Sequence, residues 1–255
     1  MKTFVETLDV TFSMYSRIPM PQVESNNKNM RFALACFPLV GAVVAAVLWG
    51  IFRLTQLAAL SPLFFAAAAV AIPVLVTGGI HLDGYCDTCD ALAAHGNLEK
   101  RLQILKDPHV GAFGAVYTGV LLLLQLGAWQ QIFLKPHFLL AALSGFVLSR
   151  AFAALAVLHI PKREGSGLAA AFADPAAKGP STAILLIFVI AATAVSILDG
   201  WPGLAVPVAA LLVFLCMRRM SVRQFGGMSG DLAGFSVSVC EVLSLLLAAI
   251  LGALL

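Results

Sequence analysis

Asp83, Asp87 and Asp90 stand at i, i+4 and i+7 in the stretch Gly78-Gly79-Ile80-His81-Leu82-Asp83-Gly84-Tyr85-Cys86-Asp87-Thr88-Cys89-Asp90. At about 100° per residue, this spacing predicts a helix with the three carboxylates within about 60° of one another. Ala94 continues the stripe with a side chain small enough to leave room. Three like charges on one face repel, and nothing within the stretch compensates them. A hard divalent cation resolves the repulsion: Mg²⁺ takes one or two carboxylates and completes its shell with water and substrate phosphates. The competing reading is a solvated acidic face paired with Arg101 or Lys106. Three acids at this spacing favour the metal.

Two other residue types in the stretch invite chemistry. Cys86 and Cys89 form a C-x-x-C, but Cys36, Cys216 and Cys240 lie in apolar runs and supply no second pair for a zinc site. The two thiols also turn progressively away from the aspartate stripe, so they read as small packing residues. His81 projects opposite the stripe if the helix already includes it. A later helix start, delayed by Gly78-Gly79, turns it toward the site, and both readings stay open.

Phosphate-binding chemistry is the natural complement. Arg218-Arg219-Met220-Ser221-Val222-Arg223 leads into Gln224-Phe225-Gly226-Gly227-Met228-Ser229-Gly230-Asp231 before an apolar run. Gly226, Gly227 and Gly230 could form a nest of backbone N–H groups at a helix start, with Arg223 adding charge, or simply a turn. Asp231 reads as a helix N-cap or as a further metal ligand. In Lys106-Asp107-Pro108, Asp107 and Pro108 fit an N-cap followed by a first-turn proline, and Lys106 and Arg101 could neutralise phosphate. Arg17, in Ser16-Arg17-Ile18-Pro19, reads by composition as an interfacial anchor.

The elements that must position these residues are membrane helices. Of 255 residues, 60% are hydrophobic and 11% charged, whereas soluble domains carry about 25% charged residues. So few charges exclude an ordinary water-soluble globule, and a net charge of +3 gives no footprint for nucleic acid. Five cysteines, an odd number, do not make a disulfide framework. Residues Met1 to Met20 hold Lys2, Glu6, Asp9 and Arg17 and lack the apolar centre of a signal peptide.

Charge-poor runs long enough to span predict seven helices: Phe32 to Phe52, Leu57 to Thr77, Val110 to Leu134, His137 to Leu158, Ser181 to Leu198, Gly203 to Met217 and Leu232 to Leu255. The expected fold class is therefore all-α, a polytopic membrane helical bundle. It forms one domain over 1–255, with 1–31 as an amphipathic cytoplasmic segment. With seven spans, every Lys and Arg except Arg53, Lys135 and the mid-span Arg150 falls on one side, so the positive-inside rule places the N-terminus in the cytoplasm. All acids except Asp199 and Glu241 fall there too. Both signs of charge at one face suit chemistry on a soluble, charged substrate. Arg150 and Glu241 lie at matching depths, roughly 14 Å into their helices, and are expected to pair.

These residues carry a family resemblance. The chain resembles cobalamin synthase, or adenosylcobinamide-GDP ribazoletransferase, over nearly its whole length. The resemblance rests on Ser16-Arg17-Ile18-Pro19, Phe37-Pro38-Leu39-Val40-Gly41, the core at 78–90, Leu105-Lys106-Asp107-Pro108, Gly111-Ala112-Phe113-Gly114 and Gly226-Gly227-x-x-Gly230-Asp231. The 78–90 core is the specific element. Cys86 and Cys89 stand where small non-thiol residues are more usual, and His159-Ile160-Pro161-Lys162-Arg163-Glu164-Gly165 fits only loosely, so Arg163 receives no firm role.

The resemblance implies transfer from adenosylcobinamide-GDP to α-ribazole or its 5′-phosphate, releasing GMP, at a bacterial inner membrane. It implies Mg²⁺ held by Asp83 and Asp87, with Asp107 or Asp231 completing the shell and Asp90 as ligand or general base. It also implies His81 and Lys106 as catalytic groups and Arg17, Arg101, Arg223 and the three glycines at phosphate. Expected partners are these small molecules and the bilayer, with a homo-oligomer left open. A CDP-alcohol phosphotransferase is the nearest alternative enzyme, but the chain lacks its Ala-Arg and its second aspartate pair. A membrane cation carrier is the alternative outside enzymes. The lack of internal repeats and the one-sided charges count against it.

Overall fold

The computed structural model describes residues 2–94, 97–163 and 173–255. It is helical, with no β-strand among the described residues. Ten α-helices follow in order: α1 Lys2–Tyr15, α2 Ala33–Leu57, α3 Pro62–Thr77, α4 Ile80–Ala93, α5 Leu98–Ile104, α6 Ala112–Leu134, α7 Leu139–His159, α8 Lys178–Ile197, α9 Ala205–Phe225 and α10 Gly230–Leu254. Six of them (α2, α6, α7, α8, α9 and α10) are long and apolar enough to cross a membrane, and α3 with α4 adds a seventh, bent segment. The weakest predicted span, Gly203 to Met217, is in fact a full helix, α9, led in by a 3₁₀ turn over Trp201–Leu204.

The second span differs from expectation. α3 has only 16 residues, about 24 Å at 1.5 Å per residue, and the chain then turns by 95° into α4. Gly78 and Gly79 make the turn with φ of +66° and +79°, two consecutive left-handed residues that side chains rarely adopt. The segment after α1 lies over this bend: Arg17 N donates to Val76 O at 2.7 Å. A Cβ on Gly78 would sit 2.6 Å from Arg17 Nε.

α7 is buried along almost its full length and packs against α2, α8, α9 and α10, making it the centre of the bundle. Buried aromatic rings fill the side toward α3 and α6, where Phe65 meets Trp129 edge-on at 5.7 Å. The two ends of the bundle differ. At one end lie α1, the α3–α4 bend, α5, the starts of α6, α8 and α10 and the exits of α7 and α9. Contacts there include Ala177 N to Arg31 O at 3.1 Å and Met228 N to Pro161 O at 2.8 Å. The opposite end has short connections. Asp199 accepts from Ala141 N at 2.9 Å to cap α7, and Lys135 Nζ donates to Ala253 O at 3.1 Å.

Candidate active site

The aspartate stripe is where the spacing predicted it, on α4, and the fold brings a fourth acid to it from the far end of the sequence. α4 crosses the start of α10 at Gly84, where a Cβ would lie 2.6 Å from the carbonyl oxygen of Asp231. Only glycine permits that approach. Tyr85 and Phe235 stack across the crossing with centroids 5.4 Å apart and planes 10° apart. Asp231 is thereby held beside Asp83, and both line a narrow cleft of about 170 Å³ that runs into the bundle. Asp87, one turn further along α4, is half-buried, and the carboxylates of Asp83, Asp231 and Asp90 all act on it.

Asp90 is engaged differently. Its Oδ2 accepts from Gly111 N and its Oδ1 from Gly114 N, both at 2.8 Å. These are orphan amides at the start of α6, so a side chain 21 residues upstream does the work of an N-cap. This corrects two expectations. α6 begins at Ala112 behind Gly111, not at Asp107-Pro108. And Asp90, with both oxygens holding a helix end, is poorly placed to serve as a free general base.

Asp107 is exposed and folds back on its own loop, accepting from His109 N at 3.0 Å and pairing with His109 Nδ1 at 2.7 Å. The backbone N–H and the ring of His109 hold its carboxyl below the usual carboxylate range. It lines a third cavity, of about 390 Å³, with Asp87 and Asp90. The N-cap of α10 is Ser229, whose Oγ accepts from Leu232 N at 3.4 Å. Asp231 is therefore not the cap, and its carboxylate is left for the cleft.

His81 lies within α4, so the helix does not start late, and the side chain is buried. It lines the cleft with Asp83, and also a small pocket with Arg150 and Glu241. Its Nε2 has no hydrogen-bond partner among the described residues. Arg17 lines a wide, open cavity of about 740 Å³ that also contains Asp83, Gly78 and Gly79. Its place at the α3–α4 bend gives it more than an anchoring position.

The remaining predicted phosphate contacts are scattered. Arg101 is partly buried on α5, while Lys106 and Arg223 are exposed. None of these three lines the cavities around Asp83, Asp87 and Asp90.

The glycine loop is also largely committed to the fold. Gly226, with φ +71°, ends α9. Gly227 N donates to Ser221 O at 2.9 Å, and Met228 N to Pro161 O. A Cβ on Gly227 would meet Arg163 N at 2.6 Å. These amides bind protein, so the expected nest over Gly226 and Gly227 is not available to phosphate; Gly230, at the start of α10, does line the cleft.

Sequence reasoning gave Arg163 no firm role. The loop pairing, with Arg163 N donating to Met228 O at 3.1 Å, brings its guanidinium close enough to act on Asp231, and its Nη1 is buried without a partner among the described residues. Its signals were a basic position in a loop on the charged side and a place in the loosely fitting stretch 159–165. Glu164, in the same stretch, lies outside the described residues. Deeper in the bundle, Arg150 and Glu241 pair as expected, and Arg150 Nη1 also donates to Phe146 O at 2.9 Å and Ser149 Oγ at 3.1 Å.

Among the described residues, no three carboxylate, imidazole or thiol groups converge closely enough to hold a metal by themselves. The donor set still fits one kind of ion. Asp83, Asp87 and Asp231 are hard oxygen donors from two helices, crowded by like charge. That suits Mg²⁺, which is bound by one or two carboxylates plus substrate phosphates and not by an all-protein cage.

Comparison with known proteins places this arrangement. The family model described as Cobalamin-5-phosphate synthase matches residues 7–249, and the chain belongs to that family. A Lachnoclostridium phytofermentans protein named adenosylcobinamide-GDP ribazoletransferase is 39% identical, covering 94% of this chain and 92% of its own. Proteins of the same name from Clostridium botulinum and Pseudomonas syringae pv. syringae are 31% and 34% identical, covering 96% and 94% of this chain and 97% and 95% of theirs. No solved structure matches. The chain is a multi-pass membrane transferase of cobalamin biosynthesis.

Proposed function

We propose that this protein joins adenosylcobinamide-GDP to α-ribazole or its 5′-phosphate, giving adenosylcobalamin or its 5′-phosphate and GMP, in a Mg²⁺-dependent reaction at the cytoplasmic face of a bacterial inner membrane. The observation that carries the reading is that Asp83 and Asp231 line one cleft at the charged end of the bundle, with Asp87 close enough for both to act on it, in a chain whose full-length relatives bear the name of this activity. The one-sided charge supports the cytoplasmic orientation.

In the reaction, an acceptor hydroxyl oxygen bonds to the phosphorus that carries the corrinoid, and the anhydride bond to GMP breaks. Phosphoryl chemistry of this type is mostly positioning and charge neutralisation. Bound at Asp83 and Asp87, Mg²⁺ would neutralise the diphosphate and the departing phosphate. Arg17, in the wide cavity beside Asp83, holds phosphate oxygens. The positive end of α10 faces the same region. Asp231, with Asp90 occupied at α6, takes the proton of the attacking hydroxyl.

The test is GMP release by purified, detergent-solubilised protein given both substrates, with and without Mg²⁺, beside Asp87→Asn. Mg²⁺-dependent release that the variant loses supports the reading. No release under any condition overturns it, and release that survives in the variant moves the metal elsewhere.

A further inference from the structure

Asp83 belongs to two cavities of opposite character. One is the wide cavity whose wall includes Arg17, Ser13, Ser16 and Thr118. The other is the 170 Å³ cleft, walled by Tyr15, Phe37, Ala154, Val157 and Val237, where Asp83 and Asp231 are the only charged lining groups among the described residues. Tyr15 and Phe37 lie with ring centroids 4.3 Å apart. His81 also lines the cleft: it is 8% exposed, and its Nε2 finds no protein partner among the described residues. Leaving such a group buried and unpaired is costly unless a ligand satisfies it.

We infer that the two cavities divide the two substrates, and that the narrow cleft binds the flat, apolar aromatic base of the acceptor nucleoside, with His81 Nε2 meeting a ring nitrogen. This rests on the proposed function and deepens it. Size decides the assignment. An apolar cavity of about 150 Å³ accepts a benzene ring, so this cleft admits an aromatic base at its open end and excludes a corrin ring with its amide side chains. The wide cavity with Arg17 is left for the corrinoid and its diphosphate. The arrangement also accounts for the position of the carboxylates. A base inserted among Phe37, Val157 and Val237 leaves its ribose at the rim, beside Asp231 and Asp83. The cleft thus selects the acceptor by the shape and apolarity of its base, and it brings the attacking hydroxyl to the metal site.

Two single-cysteine probes test this in the full-length protein. Ala233→Cys reports from the cleft and Ser13→Cys from the wide cavity, each in a Cys86→Ala, Cys216→Ser background, since Cys86 lines the wide cavity, Cys216 is exposed and the remaining native thiols are buried. Thiol-labelling rates are measured with α-ribazole alone and with adenosylcobinamide-GDP alone. At about ten times the dissociation constant, a bound ligand should slow labelling of its own site about tenfold. Protection of Ala233→Cys by α-ribazole, and of Ser13→Cys by the corrinoid nucleotide, supports the division. The reverse pattern, or equal protection of both sites by either ligand, overturns it, and so does absence of protection in a protein that releases GMP. A protein that neither binds nor turns over these substrates removes the proposed function itself. As a kinetic check, Ala154→Phe should raise KM for the acceptor about tenfold while leaving KM for the donor within about twofold. Equal rises in both overturn the assignment.

Discussion

Two groups of charge share helix α10, one with α7 and the other with α4, and are treated in opposite ways. Arg150 and Glu241 are sealed in the bundle, with side chains 1% and 11% exposed. Arg150 is further held by a backbone carbonyl, a serine hydroxyl and the face of Phe146, 5.8 Å from its guanidinium. The two charges answer each other within the protein. Asp83, Asp87 and Asp231 gather like charges instead: the causes acting on Asp87 are burial and other carboxylates, while Arg163 acts on Asp231. Where charge serves structure, the chain supplies its own counter-charge. Where charge serves chemistry, the counter-charge is left to arrive with the substrate and its metal.

The sharpest way to break this contrast is at Asp87. Asp87→Asn should lower GMP release at least about 10²-fold, while the melting temperature in detergent holds or rises because a repulsion is removed. A fall in both would make the stripe structural. The opposite signature is expected at the pair: Arg150→Met alone should destabilise by about 3–5 kcal/mol, whereas Arg150→Met with Glu241→Leu should recover most of the loss. Denaturation of the two single variants and the double variant gives the coupling, and additive losses would dissolve the pair.

Asp90 is the intermediate case. Asp90→Ala should cost about 1 kcal/mol as a lost helix cap, and Asp90→Asn, which keeps one acceptor oxygen, should cost less. Activity in Asp90→Asn should exceed that in Asp87→Asn, and equal losses would return Asp90 to the chemistry. The smallest effect belongs to Asp107→Asn. Because His109 already occupies this exposed carboxylate, GMP release and its Mg²⁺ requirement should change by less than about threefold.

Much of this was legible in the chain because lipid imposes a strict rule on composition. Charge-free runs marked the spans, the i, i+4, i+7 spacing marked the stripe, and equal depth paired Arg150 with Glu241. What stayed hidden depends on contacts between distant segments. The Gly78-Gly79 pair looked like a delay before a helix, yet its angle of 95° is set by how α4 docks on α10. Asp107-Pro108 had the local pattern of a helix start, and a carboxylate from α4 fixed the start four residues later. Gly226 and Gly227 looked like an anion nest, but their amides turn back to Ser221 O within the end of α9, and the next amide, Met228 N, finds its acceptor at Pro161 O only after the loops meet. The convergence of Asp231 with Asp83 has no local signature at all.

That convergence across the whole chain has a consequence for biogenesis. α4 carries three acids and relies on α10 for its packing, yet α10 is made only after α5 to α9. At about 5–20 residues per second, the ribosome needs roughly 7–30 s to travel from Asp83 to Asp231. During that interval α4 has carboxylates but no cleft, and the emerging chain carries the stripe without a reaction centre. Activity should therefore appear only on insertion of α10, so a nascent chain stalled before Gly230 is catalytically silent, however well the spans before it have folded.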